Sequence, residues 1–241
     1  MRKCIYLAAL LLSTISNCLA NEPYWAMNIS AGANFFSITE RQMDNIRAYR
    51  SSREYYYTME PRIAKSVHIG FTPEYYFNSR FSLSTGLRVT NTWSKYESRY
   101  DYFYYKMGSE GYNTYYYRVR SLEQCNTYVG VPLEFRFTIR AEGRPTPYIR
   151  AGATFDFRVT TSEKVRLVHE LAPDTKANIT VDTPDNFTLP IYLAAGFQFG
   201  TKKSFCVETV FPYIVAVGSM SGFGYSDNLG GGFQISYQFS K

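Results

Sequence analysis

Ser66 and His68 stand two residues apart, so on an extended strand they share one face. A serine nucleophile needs a base within hydrogen-bond reach and a third group that orients the base. Glu74 keeps the same parity, but it lies six residues beyond His68, about 20 Å away at the strand rise. The acid of such a set would have to come from another strand. His169 is the second of only two histidines, so a histidine-cluster metal site is not expected. No CxxC, GxSxG or P-loop pattern occurs, and no GxGxxG sits in a βαβ context. Gly222-Phe223-Gly224 and Gly230-Gly231-Gly232 read as loop and strand glycines. The expectation is therefore no enzyme, no catalytic residue, no cofactor and no metal.

A second set of chemically capable side chains is larger. Glu74, Arg88, Glu134, Arg136, Arg150, Asp156, Arg158 and Glu208 all fall on one parity of segments that otherwise alternate apolar and polar, and His68 shares it. The opposite parity carries Trp25, Ile29 and Phe35; Val67, Ile69 and Phe71; Phe81, Leu83, Leu87 and Val89; Val129, Val131, Leu133, Phe135 and Phe137; Ile149, Phe155 and Phe157; Ile191, Leu193 and Phe197; Phe205, Val207, Phe211 and Tyr213; and Phe233, Ile235, Tyr237 and Phe239. This face is too rich in phenylalanine for a small soluble core. If lipid takes it, the charges lie inside, where they are tolerated only as pairs. Four acids against four arginines form a balanced interior network.

Strict alternation predicts eight strands, over 24–36, 66–77, 81–93, 126–139, 147–159, 187–200, 204–215 and 229–239. Each is long enough to cross a bilayer when tilted. The connections alternate strictly in length. Asn78-Ser79-Arg80, 140–146 and Thr201-Lys202-Lys203 are short, whereas about 37–65, 94–125, 160–186 and 216–228 are longer. Short periplasmic turns and long outer loops are the asymmetry of a transmembrane β-barrel. The predicted fold is all-β: an eight-stranded antiparallel up-and-down transmembrane barrel. Pro73, Pro132, Pro190 and Pro212 fall inside these strands. A proline donates nothing to a ladder, so they must mark bulges or rims.

Composition agrees. The 241 residues include 23 Tyr and 18 Phe, with 19% charged residues, a mix too aromatic for disorder. No apolar run is long enough for a spanning helix. Arg2 and Lys3, the apolar run Ile5–Leu12 and Cys18-Leu19-Ala20 read as a secretory signal over 1–20 cleaved after Ala20, leaving a single barrel domain over 21–241. Lipidation of Cys18 is an alternative processing. Loss of two cations lowers the net charge from +6 to +4, which calls for no nucleic acid. Export makes a Cys125–Cys206 bridge chemically possible. The topology instead puts the two thiols at opposite ends of a wall roughly 25 Å tall.

The stretch Tyr128-Val129-Gly130-Val131-Pro132-Leu133-Glu134-Phe135-Arg136-Phe137, followed by Pro147-Tyr148-Ile149-Arg150-Ala151-Gly152, resembles the PorT-like outer-membrane β-barrel family of Bacteroidetes. The end of the chain, from Gly230 to Phe239, resembles the closing strand of such barrels. That resemblance implies that Tyr237 and Phe239 serve as an insertion signal, although Ser240 and Lys241 follow them. It implies a place in the outer membrane of a Gram-negative bacterium and identifies no activity. Some members of the family are tied to protein secretion.

Between strands three and four lie Tyr100, Tyr102, Tyr104, Tyr112, Tyr115, Tyr116 and Tyr117, around the turn signal Met107-Gly108-Ser109-Glu110-Gly111. They predict a hairpin continuing beyond the membrane. It reads either as an interfacial aromatic girdle or as a binding surface for a glycan, lipid headgroup or protein. The functional expectation is a monomeric barrel closed to ions, acting in surface binding or adhesion or in support of an export or surface-assembly system. Its partners are outer-membrane lipid and, during insertion, the barrel-assembly machinery. The alternatives are a secreted lipocalin-like barrel, whose apolar parity would line a ligand pocket, and a lipid A-modifying enzyme using Ser66 and His68.

Overall fold

The computed structural model describes residues 23–36, 59–98, 103–107, 114–139, 145–167, 184–200, 203–218 and 230–240. The leader expected over 1–20 and Tyr100, Tyr102 and Tyr112 lie outside them.

Ten strand segments occur in the described residues: β1 (Tyr24–Phe36), β2 (Met59–Tyr76), β3 (Phe81–Thr85), β4 (Leu87–Ser98), β5 (Phe103–Met107), β6 (Thr114–Thr138), β7 (Thr146–Leu167), β8 (Phe187–Gly200), β9 (Lys203–Val217) and β10 (Gly230–Ser240). They build eight staves, because β3 and β4 are one strand interrupted at Gly86 and β5 pairs only with the outer end of β6. Every pairing is antiparallel. β1 bonds β10 on one side and β2 on the other, so the sheet closes on itself. The terminal stave is held through register pairs such as Met27 with Phe239 and Ile29 with Tyr237.

The wall is polar inside and apolar outside. Ile69, Val131, Leu133, Phe155, Leu193, Phe197 and Ile235 are exposed, while Asn28, Ser82, Glu134, Arg136, Arg150 and Gln238 are buried. Water would penalise so broad an apolar surface, and hydrocarbon accepts it; closure leaves no backbone group unpaired at a sheet edge. The lipocalin alternative is overturned here, because the apolar parity faces outward and the barrel interior is polar.

The prolines explain the irregularities. Thr85 stands opposite Pro73 in the β2 register, and Gly86 opposite Pro132 in the β6 register. Neither proline has an N–H to offer, so the stave breaks between β3 and β4 where it is flanked from both sides. Gly86 is required there, since an added Cβ would lie 2.1 Å from the carbonyl oxygen of Phe71. Pro190 and Pro212 sit at register shifts between β8 and β9, and a shift between β9 and β10 also falls at Pro212. The bulge at Phe211 and Pro212 reverses the facing of the residues beyond it. Tyr213, expected on the lipid side with Phe211, is buried inside instead.

The strands also extend further outward than alternation indicated. Parts of the expected loops 37–65, 94–125 and 160–186 are ladder, since β2 begins at Met59, β4 ends at Ser98, β6 begins at Thr114 and β7 ends at Leu167. The polar alternation of these extensions does not distinguish strand from loop by hydrophobicity alone. β5 pairs with β6 from Phe103↔Arg118 to Met107↔Thr114, which makes the outer hairpin carrying Tyr104, Tyr115, Tyr116 and Tyr117.

Candidate functional site: the charged lumen

Three strands carry the centre of the interior network. β4 contributes Arg88, β6 contributes Glu134 and Arg136, and β7 contributes Arg150. All four are buried because period two turns alternate side chains inward. Arg88 Nη2 donates to Glu134 Oε1 at 2.5 Å, and Arg150 Nη1 donates to Glu134 Oε2 at 3.0 Å. One carboxylate therefore accepts from an arginine on each neighbouring stave. Ser84 Oγ adds a bond at 3.1 Å, and the Tyr192 hydroxyl also donates to Glu134.

The chain of charges continues around the barrel. Arg150 Nη2 stands 3.3 Å from Glu208 Oε1 on β9, an ion pair without hydrogen-bond alignment. Tyr148 links this group to the next: the Arg136 guanidinium lies 3.7 Å from its ring centroid and the Arg150 guanidinium 5.8 Å. Arg136 Nη1 in turn is 3.9 Å from Glu74 Oε1 and donates to the Tyr76 hydroxyl at 3.2 Å. Glu74 accepts from Asn28 Nδ2 at 2.5 Å, from Gln238 Nε2 at 3.2 Å and from the Ser82 hydroxyl. β1, β2, β3 and β10 are thereby tied into one network with β4, β6, β7 and β9.

The balance of four acids against four arginines is not what the lumen holds. Glu74, Glu134 and Glu208 are connected to Arg88, Arg136 and Arg150. Asp156 is buried but makes no ion pair among the described residues. It fits because Gly130 stands opposite; a Cβ there would lie 1.8 Å from Asp156 Oδ1. Arg158 is half-buried towards the outer end and donates to Thr161 Oγ1 at 2.8 Å and Asn186 Oδ1 at 2.5 Å. The β6–β7 register slips beside it, with Tyr128↔Arg158 followed by Thr127↔Thr160. Val159 is the extra residue, and alternation carries no mark of it.

Tyr76, Tyr148 and Tyr192 are network members that a search for charges overlooks. Their parity was the available signal: Tyr76 shares a face with Glu74, and Tyr148 with Arg150.

Ser66 and His68 are also inside. Ser66 Oγ accepts from Asn34 Nδ2 at 3.4 Å, and His68 Nε2 is 2.8 Å from Gln234 Oε1. Each thus has a neutral amide as partner. Cys125 on β6 and Cys206 on β9 are free thiols. Tyr237 and Phe239 face outward near the end of β10, their ring centroids 6.3 Å apart. Among the described residues, no group of three or more metal-ligating side chains occurs.

No family model matches the chain, and no curated protein matches it. Among solved structures, the crystal structure of Neisserial surface protein A is similar, with a TM-score of 0.44 and 7% identity, covering 92% of this chain and 100% of that one.

Proposed function

We propose that this chain is an outer-membrane surface protein of a Gram-negative bacterium whose barrel is a closed platform rather than a pore. It acts in surface binding or adhesion, or in support of an export or surface-assembly system, and it is not an enzyme. The observation that supports this reading most is the lumen itself, where Glu134 is buried and bound by Arg88 and Arg150 from the two neighbouring staves. Eight-stranded barrels are narrow enough for side chains to fill, and here the filling is cross-linked. The resemblance of 128–137 and 147–152 to PorT-like barrels adds to the placement. The hairpin of β5 and β6, which carries Tyr104 and Tyr115–Tyr117, is the surface offered to a glycan, lipid or protein.

Carbonate extraction with detergent partition tests the membrane placement; release of the chain into the aqueous fraction would overturn it. The refolded barrel in planar bilayers is expected to show no steady conductance, and a stable porin-like current would refute the closed lumen. Lipid A incubated with the protein is expected to be unchanged in mass.

A further inference from the structure

Above the apolar band, the outward face changes character on four neighbouring staves. On β2 the outward residues run Phe71, Ile69, Val67 and then Lys65; on β4 they run Leu87, Val89, Asn91, Trp93 and then Lys95. On β6, Val129, Thr127 and Cys125 lead to Glu123, and on β7, Phe157 and Ser162 lead to Lys164 and Arg166. The register makes these residues neighbours. Lys65 pairs with Trp93, Trp93 with Cys125 and Cys125 with Ser162; one step outward, Lys95 pairs with Glu123 and Glu123 with Lys164. Together they line a groove of about 500 Å³.

The groove carries excess positive charge. Glu123 stands 3.9 Å from Lys95 and 3.6 Å from Arg166, and Glu163 accepts from the groove-lining Gln124 Nε2 at 3.1 Å, so among the described residues two acids stand against Lys65, Lys95, Lys164 and Arg166. Lys65 lies 5.8 Å from the centroid of the Trp93 ring. Neither Lys65 nor Lys164 has an ion pair among the described residues. Eleven residues separate Tyr76 from Lys65 along β2, which places Lys65 roughly 28 Å above the periplasmic turn at usual strand rise and tilt. An apolar band of about 25 Å ends at that height, so the cations stand where lipid headgroups begin. Lys65 lies three staves from Ser162, and Lys164 stands two residues further outward, so the two cations are roughly 16 Å apart. One phosphate does not bridge that gap, whereas two phosphates held apart by a disaccharide do. The acyl chains of such a lipid would run down Val67, Val89, Val129 and Phe157.

We infer that this outward groove, centred on Lys65, Trp93 and Lys164, binds a diphosphorylated glycolipid of the outer leaflet from the side. The inference rests on the outer-membrane placement proposed above, and it assigns a lipid partner to a face that the hairpin does not occupy.

Native mass spectrometry of the refolded full chain, titrated with diphosphoryl lipid A in neutral detergent, tests it. The expected result is one retained lipid per barrel, with apparent affinity lowered at least tenfold in Lys65→Ser/Lys164→Ser and unchanged in Lys203→Ser at the periplasmic end. Chemically dephosphorylated lipid A and phosphatidylglycerol are expected to bind the native chain at least tenfold more weakly, a comparison that needs no variant to fold. Equal retention of the dephosphorylated lipid, equal retention of phosphatidylglycerol, a double variant within twofold of the native chain, or no retained lipid would each overturn the groove. A chain that partitions into detergent but retains no lipid would leave the membrane placement standing, so the two failures are distinguishable.

Discussion

Glu134 and Glu123 lie eleven residues apart on β6, and each stands between two cations from neighbouring staves. The odd spacing puts them on opposite sides of the wall. Glu134 faces Arg88 at 2.5 Å and Arg150 at 3.0 Å, with its side chain 1% exposed. Glu123 faces Lys95 at 3.9 Å and Arg166 at 3.6 Å, with its side chain 30% exposed. The composition is alike and the solvent is not. Inside, each ion has given up water and depends on its partner, so the pairs cross-link the barrel. Outside, water and headgroups screen the same charges, and they are available to a ligand.

Removing the inner carboxylate has the largest expected effect. Glu134→Ala leaves Arg88 without its carboxylate in a closed interior, and breaking a buried pair from one side costs about 3–5 kcal/mol. Arg150 keeps Glu208, so Arg88 is the partner whose removal matters. Glu134→Ala/Arg88→Leu is therefore expected to recover much of the loss, because no lone charge remains. Urea unfolding in thin bilayers measures both. A single variant costing under about 1 kcal/mol would put this face in water.

The outer face of the same strand supplies the next test. Val131 lies between Val129 and Leu133 on the apolar side and is 42% exposed. Val131→Arg places a cation against hydrocarbon, at about 2–4 kcal/mol near the bilayer midplane. The same substitution on a water-facing wall would be nearly neutral. A neutral result in thin bilayers would reverse the assignment of the two faces.

A smaller effect is expected where the wall is interrupted. Gly86→Ala drives a Cβ into the Phe71 carbonyl, a backbone atom that has no rotamer to yield. Overpacking of this kind costs about 1–3 kcal/mol. Unchanged stability of Gly86→Ala would mean that the gap between β3 and β4 relaxes freely and that the flanking prolines do not hold it.

Most of this inside–outside division was legible in the chain, because period two is a property of the strand itself. Glu134, Arg136 and Arg150 could be placed inward from neighbouring apolar residues alone. Legibility stopped at bulges. Val159 adds one residue to β7, so outward residues change from odd numbers at Phe157 to even numbers at Ser162 and Lys164. For the same reason Tyr213 turned inward after Phe211 and Pro212. The proline at 212 marked the irregular place without giving its size. The groove was hidden more deeply. Lys65, Lys95 and Lys164 belong to three strands and lie far apart in the chain, and only the register brings them to one spot. All three fell in segments that read as loop.

The smallest expected effect completes the pair of glutamates. Glu123→Ala removes an ion partner that is 3.6–3.9 Å from its cations and remains in contact with solvent. Lys95 and Arg166, 37% and 53% exposed, recover their hydration when the carboxylate goes. The expected cost is about 0–1 kcal/mol in the same unfolding assay that registers Glu134→Ala at several times that amount. A loss above about 2 kcal/mol would mean that the Glu123 cluster is desolvated like the lumen, and the contrast between the faces would fail. Stability is not the only readout. Removing Glu123 takes one negative charge away from beside the groove, so retention of diphosphoryl lipid A is expected to strengthen while folding is almost unaffected. A structural ion pair has no reason to give these opposite signs, whereas a carboxylate that lowers the charge of an anion-binding surface does.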